Sequence, residues 1–202
     1  MIRHLLTVCV ALLAAADVRA LVLELKPADV QRVLALARWP HTDAERARFH
    51  ARYFFLVNGP TVEYFAVQRV EVITEYRRLE LIAEEHARMN DLFGRGGLRD
   101  VEEAMQPGRG RLTIVVYLTF DPSKYITGVP EVRLAMDGST ILLPIEISGA
   151  GVFGGGNQPV LTGARIEAVF DARAVGQETR RLSLYREGKE IARVPIEFAK
   201  IE

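Results

Sequence analysis

The residues with the most recognisable chemical spacing are Gly149-Ala150-Gly151-Val152-Phe153-Gly154, which read G-x-G-x-x-G. In a dinucleotide site such glycines let the backbone approach a pyrophosphate, and a helix starting at the loop meets the phosphates with its N-terminal amides. Asp171 stands about twenty residues on, where an acid would hold the ribose. After the motif come Gly155-Gly156-Asn157-Gln158-Pro159 and then another apolar alternation, which leaves no room for a crossover helix. The match is therefore read as chance, and no cofactor is expected. The same glycine stretch has a second reading, as a loop over Gly149–Gly156 that carries Val152 and Phe153 as a partner-binding tip. Against it stands Phe153 folding back over the end of the sheets, as loop hydrophobes commonly do.

Hydrolytic and metal chemistry find less support. His41, His50 and His86 are the histidines outside the first twenty residues, and no H-E-x-x-H or E-x-x-H spacing occurs. Glu84 and Glu85 sit next to His86, but consecutive helical positions do not face one site, and pairing with Arg88 at helical spacing is expected instead. No metal site is expected. Ser139 in Gly138-Ser139-Thr140 lacks the flanking glycines of a nucleophile elbow, and no histidine follows it to serve as base. The one cysteine, Cys9, lies in the apolar N-terminal run, so thiolate sites and disulfides are not expected downstream of it. Paired carboxylates remain open, because their separation is not readable from sequence.

Arg95, Arg99, Arg109 and Arg111 cluster around glycines and would suit an anionic group. The competing reading is a solubilising linker in which Arg99 and Arg111 pair with neighbours such as Asp100, Glu102 and Glu103. Tyr53, Phe54, Phe55, Tyr64 and Phe65 resemble a recognition patch, but packing between helices at the Asn58-Gly59-Pro60 corner explains them as well.

The elements that must carry these residues change character along the chain. Pro27 suits the first turn of a helix whose stripe is Val30, Val33, Leu34 and Leu36, ending at Trp39-Pro40. Thr42-Asp43-Ala44-Glu45 is a capping box opening a second helix that runs into Tyr53-Phe54-Phe55. From Thr61 to about Asn90, Val62, Ala66, Val70, Ile73, Tyr76, Leu79, Ala83 and Ala87 recur every three or four residues, which predicts one long helix. The β-branched Val70–Ile73 would also suit a strand. Asp100 with Glu103 caps a short helix that stops before Pro107.

From Arg111 the period becomes two. Leu112, Ile114, Val116, Leu118 and Phe120 share one strand face, and further strands are predicted at 132–136, 141–147, 164–170, 182–185 and 192–198. Pro144 and Pro195 place their strands at edges or bulges. The expectation is an α+β fold: a helical region at 21–107, with two to four helices, packed on an antiparallel β-sandwich of six to seven strands at 108–202. Its architecture resembles an immunoglobulin-like sandwich, without the buried cysteine pair.

Residues 1–20 read as a cleaved export signal: Arg3 before an apolar run over 5–16, then Val18-Arg19-Ala20 as a peptidase site. That run is too short to span a bilayer, so no membrane span is expected after cleavage. The 26 basic residues balance the 26 acidic ones, so nucleic acid is not an expected partner. Basic residues are 22 Arg and 4 Lys, a bias in keeping with a GC-rich genome. These features point to a periplasmic or secreted protein of the bacterial envelope. The function expected is a non-catalytic binding or assembly-accessory module whose partner is another envelope protein. The alternative is an exported hydrolase that uses carboxylates on cell-wall or carbohydrate material.

Overall fold

The computed structural model describes residues 25–38, 42–57, 59–95, 97–155 and 160–201. The expected export signal and His41 lie outside the described residues, as do Trp39-Pro40 and Asn58. In chain order come helices α1 (Pro27–Ala37) and α2 (Asp43–Ala51), strands β1 (Phe54–Leu56) and β2 (Phe65–Ile73), and helices α3 (Glu75–Arg88) and α4 (Arg99–Met105). Strands β3 (Arg111–Phe120), β4 (Arg133–Asp137), β5 (Glu146–Gly154) and β6 (Val160–Asp171) follow, then helix α5 (Ala172–Val175) and strands β7 (Thr179–Arg186) and β8 (Lys189–Glu197). The fold is α+β, with five helices and two antiparallel sheets among the described residues. The larger sheet runs β1-β2-β3-β6-β5 and the smaller β4-β7-β8.

Local chemistry explains the first two helices. Pro27 occupies the first turn of α1, and the Asp29 carboxylate accepts the backbone N–H of Lys26 at 3.1 Å. At α2 the expected box forms: Thr42 Oγ1 accepts from the Glu45 amide, and Glu45 Oε2 accepts the Thr42 amide at 2.9 Å. The second helix stops at Ala51, however, and Phe54–Leu56 pair as a strand with Arg69–Glu71.

The predicted long helix over 61–90 is not formed. Residues Phe65–Ile73 are a strand and Glu75–Arg88 a separate helix. A β-bulge between Val67 and Arg69 accounts for the misreading. Phe65, Val67, Val70 and Val72 all face the core, but the extra residue stretches one interval to three and imitates a helical repeat. Thr74 then starts the helix by accepting the Arg77 amide at 3.0 Å. Asp100 does not cap α4 with Glu103. Its carboxylate accepts the amides of Gly94 and Val101, and Leu98 holds the cap position without a side-chain bond.

Strands predicted near 112–120, 132–136, 164–170, 182–185 and 192–198 are present, and Pro195 lies on edge strand β8 as its missing donor requires. The strand predicted at 141–147 is displaced to Glu146–Gly154. Pairing of β2 with β3 crosses the boundary expected at 107/108.

Both sheets feed one buried cluster, with Val70, Ile114, Ile166 and Phe170 from the larger and Met136, Leu182, Leu184 and Ile196 from the smaller. A second cluster joins α1, α3 and α4 through Val33, Leu34, Tyr76, Leu79, Val101 and Met105. Helix α3 is tied to the sheet by Arg78, which donates to the Gly108 carbonyl at 2.7 Å and to Thr113 Oγ1 at 3.0 Å.

Candidate functional site: an open sheet edge

Two sheets have four edges, and three are closed off. Strand β1 has only three residues. Strand β4 is capped when Leu142 exchanges two 2.9 Å backbone bonds with Met136. Strand β8 carries Pro195 and the charges Lys189, Glu190, Arg193 and Glu197. These are the usual means of preventing strand addition. Strand β5 has none of them. It is nine residues long, contains no proline, and bears one charge, Glu146, at its first position. Only β6 pairs with it among the described strands, and all its residues except Gly151 and Gly154 are exposed.

Opposed residues of an antiparallel pair share a face. Ile147, Gly149 and Gly151 thus lie on the core side, opposite Ala168, Ile166 and Ala164, while Ser148, Ala150 and Val152 lie outward with Glu167, Arg165 and Gly163. The glycines that resembled a phosphate loop are strand residues, so the expected loop over Gly149–Gly156 is corrected to strand as far as Gly154. Their size has a packing reason: a Cβ on Gly149 would sit 3.1 Å from Val129, and one on Gly151 2.5 Å from Leu161. Among the described residues the next element is β6, and no helix follows there to receive a nucleotide. Val152 and Phe153 are on this edge rather than at a loop tip, and are 46% and 62% exposed. Ile141, Leu143, Ile145 and Ile147 extend the apolar fringe. The first three alternate as a strand would, but the chain there is crossing from the smaller sheet to the larger.

The four arginines of the expected anion contact take separate places. Arg99 pairs with Glu103 at 3.0 Å, and Arg111 with Glu146 at 3.3 Å. Arg95 lines a recess with Arg38, His86 and Asp91. Arg109 borders a cavity of about 230 Å3 at the helix–sheet junction, with Arg173, Glu75, Glu102 and the apolar Val30, Val101 and Met105. The Glu75 carboxylate there accepts the Gly110 amide at 2.6 Å. His86 pairs with Asp91 at 2.8 Å and stacks on Phe93, and its hydrogen bond holds the Asp91 carboxyl below the usual range. Glu84 does pair with Arg88, at 3.5 Å. Tyr64 and Phe65 pack edge-on against each other in the sheet cluster rather than between helices.

Sequence reasoning missed an ionic cluster between α2, α3 and the outer face of the larger sheet. Arg77 donates to Glu71 at 3.1 Å and lies 3.6 Å from Glu80. Arg52 reaches Glu80 at 2.8 Å, and Arg46 reaches Glu84 at 3.0 Å. His50 bridges the two halves: Arg77 donates to Nδ1, and Nε2 lies 3.1 Å from Glu84. Because Nδ1 accepts, the neutral ring carries its proton on Nε2 and donates it to Glu84. Burial, then the Arg77 charge, lowers the His50 pKa. Tyr117 donates to the other Glu71 oxygen at 2.7 Å, and burial followed by that bond raises its pKa to about 12. The guanidinium of Arg77 also lies 4.7 Å from the centre of the Tyr53 ring. Glu71, Glu80 and Glu84 are each met by an arginine, so the cluster braces the helices against the sheet.

No group of three or more potential metal ligands occurs among the described residues, and no described helix is long and apolar enough to cross a membrane. Comparison of the chain with protein families, with curated proteins and with solved structures finds no match.

Proposed function

We propose that this is an exported, non-catalytic envelope protein, a binding or assembly-accessory module, whose partners add a strand to β5. The observation that carries the reading is the contrast among edges: β5 alone of the described edges has neither proline, charge run, cover nor short length. Main-chain bonds along such an edge supply affinity, and alternate side chains supply selectivity. An immunoglobulin-like sandwich is the finer architecture proposed. Strand order β2-β3-β6-β5 beside β4-β7-β8 supports it, since constant-type domains order their strands A-B-E-D and C-F-G. The export signal read from residues 1–20 supports the location, and N-terminal sequencing of the secreted product should begin at Leu21.

The docking test compares wild type with Ser148→Lys and Val152→Lys, which add outward charge to β5. Envelope partners retained by wild type should be lost by both variants while the circular dichroism spectrum is unchanged. Hydrogen exchange of the β5 amides should slow on partner binding. Unchanged retention, or exchange that slows elsewhere and not in β5, would overturn the reading.

One observation favours the hydrolase alternative: Glu75 and Glu102 line the same junction cavity. The Gly110 amide already engages Glu75, which leaves the pair poorly placed to share acid and base roles. Turnover of a glycan that disappears in both Glu75→Gln and Glu102→Gln would establish this alternative.

A further inference from the structure

We infer that the strand added to β5 is β5 of a second copy of this chain, paired antiparallel about a twofold axis through Ala150. The inference rests on the docking reading above and names a second copy as the strand that fills this edge when no other envelope partner displaces it. A twofold perpendicular to the sheet keeps the core sides of both copies on one side, so only registers matching core-side with core-side residues are open. The β5 strand itself runs without a bulge, because the extra residue at the Val152/Phe153 irregularity belongs to β6. Phe153 is therefore on the core side with Ile147, and its ring lies 3.5 Å from where a Gly151 Cβ would stand.

Centred on Ala150, the register sets Ile147 opposite Phe153 of the other copy, and the symmetry makes this contact twice. These are the two largest exposed apolar side chains on the strand, 47% and 62% exposed. On the outward face, Ala150 meets itself and Ser148 meets Val152. Gly149 opposes Gly151, which keeps the centre narrow. The one charge, Glu146, falls opposite Gly154 at either end of the ribbon, so no like charges face each other. Glu146 is moreover already paired with Arg111 of its own chain. Moving the axis to Gly149 puts Glu146 against Val152 and Ile147 against glycine. Moving it to Gly151 leaves Ile147 without an opposite residue and puts Phe153 against Gly149. Only the Ala150 register pairs large with large and buries no charge.

The experiment is sedimentation equilibrium of the purified chain across micromolar to millimolar concentrations, beside Ala150→Arg. Wild type should show a monomer–dimer equilibrium, and the variant should dimerise at least about tenfold more weakly. A cysteine pair then fixes the register in a Cys9→Ala background. Ile147→Cys mixed with Phe153→Cys should give a disulfide-linked dimer under mild oxidation, whereas each alone should not, and Ala150→Cys should link to itself. Equal thermal midpoints for Ala150→Arg and wild type, measured at a concentration where both are monomeric, show that the fold is intact. A wild type that stays monomeric throughout overturns the self-pairing, as does a dimer that Ala150→Arg leaves unchanged. The docking reading fails separately, when envelope partners bind the Ser148→Lys and Val152→Lys variants as well as wild type.

Discussion

The guanidinium of Arg77 and the carboxylate of Glu71 meet 3.1 Å apart with only 2% and 6% of their side chains exposed. One lies in the first turn of α3 and the other near the end of β2, so the pair fixes the angle at which helix leaves strand. Buried charges are tolerated only when fully met, and Tyr117 takes the second Glu71 oxygen.

Removing Arg77 should therefore be costly, because Glu71 and Glu80 would stay buried without their shared cation. Arg77→Ala is expected to lose about 3–5 kcal/mol in urea unfolding. Glu71→Gln keeps an acceptor for Tyr117 and should lose less. The double variant should lose less than the two single losses added together, since the groups share one network.

Acidification should act through His50. Its folded pKa lies below the ordinary 6.5, through burial and the neighbouring Arg77. The unfolded chain thus takes up the proton first as pH falls, and this gain favours unfolding. The stability contributed is complete above about pH 6.5 and declines below it, by at most about 1.4 kcal/mol per pH unit. His50→Gln can still accept from Arg77 and donate to Glu84 but does not titrate. The thermal midpoint of wild type should fall relative to His50→Gln between pH 7.5 and pH 5.5. A constant difference would contradict this account.

Several elements were legible because their determinants are local. Pro27, the Thr42–Glu45 box and the unbroken alternation of Leu112 to Phe120 each act over a few residues. Strand β2 was not legible, because one bulged residue at Gln68 changed its period, although Thr74 ahead of Glu75 is a helix-start signal that could have ended it. Glycines in β5 read as loop for want of the information that Val129 and Leu161 crowd them from distant sequence. Helical spacing shows Glu84 pairing with Arg88 along α3, but it does not reveal that α2 and the sheet cover the charges of that helix. Val152 and Phe153 were found by composition, but their role as an edge depends on which strands pair.

Gly163 tests the β3–β6 seam. A Cβ there would stand 2.3 Å from the Leu118 carbonyl oxygen on neighbouring β3, and a backbone atom in a central strand has little room to yield. Gly163→Ala should destabilise the fold by about 1–3 kcal/mol. Gly155→Ala, where nothing lies within 4 Å, should stay within about 0.5 kcal/mol of wild type. Denaturant midpoints of the two variants decide the matter, and equal effects would mean that the seam relaxes.

Arg180 offers the sharpest separation of charge from shape. It is buried at the start of β7 and donates to three carbonyls: Val175 at 2.8 Å, Thr140 at 3.0 Å and Ala174 at 3.1 Å. It also pairs with Glu178. These bonds tie the end of α5 and the loop after β4 to the smaller sheet, and they use all three guanidinium nitrogens in one plane. Lysine keeps the charge, but its three N–H donors all leave one nitrogen and do not reach carbonyls spaced around a planar fork. Arg180→Lys should lose about 2 kcal/mol or more, close to the loss in Arg180→Met. A lysine variant as stable as wild type would show that the charge alone suffices and that the fork contributes nothing.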